Sequence, residues 1–298
     1  MTKSKKISLL FLASTIFFST ILFPSTFKSS AKELITKKLS RSQRTYQNQE
    51  IIKGIFSWSS SQTLETNRED TYHWVDKLQI NEIYQSGLFR ISTEERVKFI
   101  SDLKNNKDVD VYELTGDPSY FNDISNYKRK IDLVKNHNNS VPDDAKLKGI
   151  VFDVEPWVLG DGNWPQEEYA ATIKEAYTYA KSCNINLVIV IPFWLDKNIS
   201  KIVIKNSDKT IVMNYNITAP VKFMKEEINW AKKYNKPIST AAETQANSSE
   251  HGVDDKTTYY YVGVNRLIED WKSISSTYNY DKLEFSLHNF DSVKNFIN

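Results

Sequence analysis

The chain has 298 residues and a single cysteine, Cys183. One thiol cannot close an internal disulfide, so packing and hydrogen bonds must hold the fold. We expect Cys183 to be a buried structural thiol. It lies far from the N-terminus, which excludes a lipid-attachment cysteine there. Only four histidines occur, and no cluster of His and Cys has the spacing of a zinc site. No metal and no organic cofactor are expected. Glycine is scarce at 8 residues, and no Gly-rich phosphate loop follows the first β-like run. That argues against a doubly wound dinucleotide fold. No Ser/Gly-rich linker and no short-period repeat interrupts residues 51–298. A surplus of charge is missing too, with 39 Lys and Arg against 37 Asp and Glu for a formal net charge of +2. Nucleic acid is therefore not an expected partner, since phosphate binding needs a clustered positive surface.

What is present begins at the N-terminus. Lys3, Lys5 and Lys6 precede the apolar run ISLLFLASTIFFSTILF, and Ser29-Ser30-Ala31 supply small residues for cleavage. We expect residues 1–31 to be an export signal, which makes the protein secreted, or membrane-held only if that segment stays uncleaved. Its loss removes four lysines and no acid, taking the formal charge from +2 to −2. Residues 32–50, with KELITKKLSRSQR, read as a basic, solvated linker.

From residue 51 onward, short β-rich runs alternate with amphipathic stretches. The expected strands are 51–58, 80–89, 108–115, 147–155, 185–194, 210–216, 237–243 and 282–290. Most are near-continuously apolar, as strands covered on both faces should be. Between them, STEERVKFISDLK carries a capping signal, with Val97, Ile100 and Leu103 at helical spacing. PQEEYAATIKEAYTYAKS begins with Pro165 and acids, which suit a helix N-terminus. APVKFMKEEINWAKKY and NRLIEDWKSISSTY are read the same way. Eight such alternations over 51–298 predict a single (β/α)8 TIM barrel, which typically takes about 250 residues.

In such a barrel the chemistry sits at the C-terminal ends of the strands. The fourth run, LKGIVFDVEPW, places Val151, Asp153 and Glu155 on one side of an alternating strand. Val151 is then core, and the two acids stand above it at the mouth, below a stop at Pro156. Other strand ends offer Trp58, Glu113, Trp194, Tyr215 with Asn216, Glu243 and His288. With 13% aromatic residues and 7 tryptophans, Trp58, Trp157 and Trp194 are candidate platforms for sugar rings. Two carboxyl groups in an aromatic mouth suit glycosidic cleavage, one protonating the leaving oxygen and the other serving the oxocarbenium-like centre. Glu113 and His288 read as rim or structural residues.

GIVFDVE (149–155) resembles the fourth-strand signature of the family 18 glycoside hydrolases, and VMNYN (212–216) resembles that family's sixth-strand motif. The resemblance implies Glu155 as proton donor, Asp153 as the group orienting a substrate acetamido group, and Tyr215 as its hydrogen-bond partner. Val151 stands where that family has a further acid, and Asn216 where it has Asp. Glu155-Pro156 and Glu243 also resemble the acid/base and nucleophile positions of the large retaining clan of barrel glycosidases, with Val154 where that clan carries Asn. The whole stretch 51–298 resembles exported barrel proteins with a DVEP motif, a likeness that implies no activity. Asp153 and Glu243 thus remain alternative partners for Glu155. The expected function is an exported, monomeric glycoside hydrolase acting on a β-linked poly- or oligosaccharide, with N-acetylhexosamine-containing envelope glycans as one option. The alternatives are a non-catalytic carbohydrate-binding barrel and another carboxylate-dependent barrel hydrolase.

Overall fold

A computed structural model describes residues 53–160, 162–249 and 252–297. The expected export signal and basic linker lie outside the described residues. Eight strands form: β1 (Lys53–Ser57), β2 (Glu82–Ser86), β3 (Asp110–Thr115), β4 (Gly149–Phe152), β5 (Asn186–Pro192), β6 (Lys209–Met213), β7 (Ile238–Glu243) and β8 (Leu283–His288). All are parallel, each pairs with the next, and β8 pairs with β1 to close the barrel. Every expected strand is present, with bounds that differ from the expected runs by a few residues.

The connecting helices are α1 (Glu65–Leu78), α2 (Thr93–Lys107), α3 (Ile124–Ser140), α4 (Gln166–Ser182), α5 (Lys197–Lys205), α6 (Pro220–Phe223), α7 (Lys225–Tyr234), α8 (Gly263–Tyr278) and α9 (Phe290–Ile297). Ser92 caps α2 by accepting from Glu95 N at 3.1 Å, as the capping signal required. The buried stripe of α2 is Arg96, Phe99, Ile100 and Leu103, with Val97 only half-buried. The stretch 219–234 is not one helix but two, broken at Met224. Cys183 is half-buried at the end of α4 rather than fully enclosed. No helix among the described residues is long and apolar enough to cross a membrane.

Alternation along the strands produces two cores. Inward-facing Phe56, Tyr84, Tyr112, Leu114, Val151, Val188, Val190, Ile211, Met213 and Ala241 fill the barrel. Outward-facing Ile55, Ile83, Val111, Ile150, Ile189, Val212, Ala242 and Phe285 pack under the helices. Burial on both faces is why these strands read as unbroken apolar runs. The barrel floor is ionic. Lys209 pairs with both Glu82 and Glu284, all three buried, and the Tyr84 and Tyr112 hydroxyls donate to Glu82 at 2.8 and 3.3 Å. Gly54 is required here, since a Cβ would stand 2.3 Å from the Tyr84 hydroxyl oxygen. With the lower end plugged, the open end of the barrel is the place for a ligand.

Candidate active site

β4 ends at Phe152, but Asp153 N still donates to Thr115 O at 2.9 Å, so strand geometry persists for one more residue. Pro156 has no N–H for a ladder, and the chain turns into a short 3-10 helix over Pro156–Leu159. This stops the strand with Asp153 and Glu155 on the side of Val151, at the barrel mouth. β3 presses close from one side. A Cβ on Gly116 would lie 1.8 Å from Asp153 O, so only glycine permits that approach.

A cavity of about 980 Å³ opens at this end. Of the sequence-predicted residues, Trp58, Asp153, Glu155, Trp157, Trp194, Tyr215, Asn216, Glu243 and His288 all line it. Glu113 does not. Tyr112 and Leu114 hold the interior positions of β3, so Glu113 turns outward, where Arg96, Lys130 and Arg90 surround it beneath the helices. The expectation that Glu113 borders the substrate is therefore corrected. Asn216 reaches the wall, but its Oδ1 accepts from Thr218 N at 3.0 Å and Thr218 Oγ1 at 2.6 Å, so it also shapes the loop after β6.

Asp153 is 7% exposed, and its Oδ1 has no hydrogen-bond partner. Burial and the neighbouring Glu155 charge raise its pKa, against the opposing influence of His288. Glu155 is also raised by burial, countered by His288 and by a hydrogen bond from Trp157. With burial and the Glu155 charge pushing Asp153 up to about 8, the two neighbouring acids hold a proton near neutral pH. That proton is what a general acid needs. Above them, Trp157 packs edge-to-face on Trp194 at 5.3 Å between ring centroids, and Trp194 is 51% exposed. Burial and the Glu243, Asp153 and Glu155 charges raise the Tyr215 pKa, which keeps that hydroxyl protonated as a donor.

Glu243 and His288 are register partners at the ends of β7 and β8. His288 Nδ1 lies 2.8 Å from Glu243 Oε2, while Glu243 Oε1 accepts from the backbone N–H groups of Thr244 and Gln245, each at 2.8 Å. The Trp58 indole N–H donates to His288 Nε2 at 3.0 Å. Burial disfavours a charged His288. The hydrogen bond and charge of Glu243, with Asp153 and Glu155, outweigh this and raise its pKa above 6.5. The His288–Asn289 peptide bond is cis.

Sequence reasoning missed Gln245, Val253 and Thr257 on the wall. They belong to the loop after β7, which folds back through a Glu243–Thr258 bridge and through Thr258 Oγ1 donating to Gln245 O at 2.7 Å. No periodic signal marks such a loop. The Glu243–His288 pair could have been found by aligning the first residues of the seventh and eighth runs, 237 with 282. Among the described residues, no group of three or more His, Cys, Asp or Glu is arranged to hold a metal ion.

No protein-family model and no curated protein matches the chain. Among solved structures, a chitinase from Chromobacterium violaceum is similar with a TM-score of 0.50 and 11% identity, covering 81% of this chain and 95% of that one. A candidate α-L-fucosidase from Bacteroides thetaiotaomicron is similar with a TM-score of 0.55 and 12% identity, over 80% of this chain and 85% of that one. At such identity the likeness establishes the fold, a (β/α)8 barrel that glycoside hydrolases also use.

Proposed function

We propose that the protein is a glycoside hydrolase that cleaves a β-linked polysaccharide, with Glu155 as the general acid. The observation that carries this reading is the placement of buried Asp153 and half-buried Glu155 together on the wall of a cavity that Trp58, Trp157 and Trp194 also line. Glu155 delivers its proton to the leaving oxygen as the glycosidic bond breaks. Asp153, then ionised, stands against the positive charge that develops at the anomeric carbon. Tyr215 supplies a hydrogen-bond donor, and Trp157, Trp194 and Trp58 offer ring faces for sugars.

Between the two candidate partners of Glu155, the hydrogen bonds favour Asp153. Both oxygens of Glu243 are already engaged, whereas Asp153 keeps an unpartnered oxygen. Substrate charge follows from the wall, where Asp153, Glu155 and Glu243 meet no lysine or arginine among the described lining residues. Such a wall repels uronic acids and phosphate-bearing polymers and accepts neutral or amine-bearing sugars. Export and an envelope glycan as substrate are part of the proposal and rest on residues 1–31 alone. The test is release of new reducing ends from chitin-type and envelope glycans by purified protein, with Glu155→Gln as control. Turnover by the wild type and its loss in the variant support the reading, and equal turnover by both rejects it.

A further inference from the structure

We propose that His288, oriented by Glu243, is the general base that activates the attacking water, so that hydrolysis inverts the anomeric centre. This rests on the glycosidase reading of the same cavity and supplies the base that reading lacks.

Glu243 is a poor candidate for a nucleophile. Its Oε1 is held by two backbone N–H groups, and its Oε2 by His288 Nδ1 at 2.8 Å with Gln245 Nε2 at 3.4 Å. Attack on carbon would break these bonds. The same bonds suit a carboxylate that fixes an imidazole ring and keeps the proton on its Nδ1. Trp58 fixes the other nitrogen. An indole N–H can only donate, so His288 Nε2, 3.0 Å away, carries a lone pair and no proton. The Trp58 hydrogen therefore marks the place that a water hydrogen would take. Trp58 is 39% exposed at the end of β1, a rim side chain that an entering sugar can displace.

The titratable groups facing His288 are Glu243 from β7, Asp153 and Glu155 after β4, and Tyr215 after β6, whose ring centroid is 5.7 Å from the imidazole; Gln245 Nε2 also lies 3.3 Å from Nδ1, and the Phe56 ring packs on the imidazole. Glu243, in contact with the ring, and the ionised member of the Asp153–Glu155 pair stabilise the imidazolium that forms on proton uptake. The step balances. Water oxygen bonds to the anomeric carbon on the face opposite the leaving oxygen, and one water proton passes to His288 Nε2. The glycosidic C–O bond breaks with its electron pair on the leaving oxygen, which takes the Glu155 proton. Return of one proton from His288 to Glu155 through solvent resets the site.

The test reads the configuration of the first-formed sugar by proton NMR with the wild-type enzyme on chitin-type and envelope oligosaccharides. It is joined by kcat/KM against pH for wild type, His288→Ala and Glu243→Gln. The expected product is the inverted anomer. His288→Ala should lower kcat by about 10²–10⁴-fold and abolish the rising limb of the profile, with partial recovery on adding imidazole. Glu243→Gln should move that limb to lower pH. A retained anomer overturns the proposal while leaving Glu155 as acid, and needs no variant to fold. Inversion with the rising limb intact in His288→Ala also overturns it. No turnover of any glycan by the wild type rejects the glycosidase reading itself, and this proposal with it.

Discussion

Glu113→Gln should stabilise the protein at high pH and leave sugar binding untouched. Glu113 is 4% exposed on the outer side of β3, and its Oε2 lacks a hydrogen-bond partner. Burial pushes its pKa from 4.5 to about 8, although Lys130, Arg96, the Leu88 N–H and Arg90 pull the other way. Between those two values the folded protein keeps a proton that the unfolded chain has shed. Stability therefore falls as pH rises from about 4.5 to about 8, then levels off. At about 1.4 kcal/mol per pH unit, the ceiling on this loss is about 5 kcal/mol. Glutamine cannot titrate, so the variant escapes the loss. Urea unfolding of both proteins at about pH 5, 7 and 9 should show a stability difference that grows by at least about 2 kcal/mol in favour of the variant. A difference constant with pH would refute the reasoning. A large loss of glycan affinity would return Glu113 to the rim.

Three further outcomes follow from the packing. Lys209→Met strands Glu82 and Glu284 in the barrel floor without a cation, and thermal unfolding should show a loss of about 3–5 kcal/mol. Gly116→Ala forces a methyl against Asp153 O and displaces the top of β4. Activity should fall by about 10²-fold while circular dichroism shows the barrel intact. Trp194→Ala removes a half-exposed ring and its edge-to-face contact with Trp157, so stability should fall by no more than about 1.5 kcal/mol. Its KM should rise, as removal of a sugar platform requires.

The barrel was legible because its strands are buried on both faces and so appear as β-branched runs between helices. The same alternation ordered Val151, Asp153 and Glu155 from the core upward. It failed in DVDVYELT, where Val111 on one face and Tyr112 and Leu114 on the other are all buried. An apolar pattern without a polar face cannot say which side points inward, and Glu113 was read on the wrong one. The contact between Glu243 and His288 was hidden for a different reason. The two are 45 residues apart, and only strand register brings them side by side. The loop after β7 is invisible to pattern reading, because bridges and side-chain hydrogen bonds fix it rather than periodicity.

Proton delivery by Glu155 is the central step of the proposed reaction. The most direct measurement compares Glu155→Gln with wild type on two substrates sharing one glycone, an ordinary oligosaccharide and an aryl glycoside whose leaving group departs without a proton. The variant should lose about 10²–10⁴-fold in kcat on the oligosaccharide, and far less on the aryl glycoside. Equal losses on both, or no loss on either, would contradict the assignment of Glu155 as the acid.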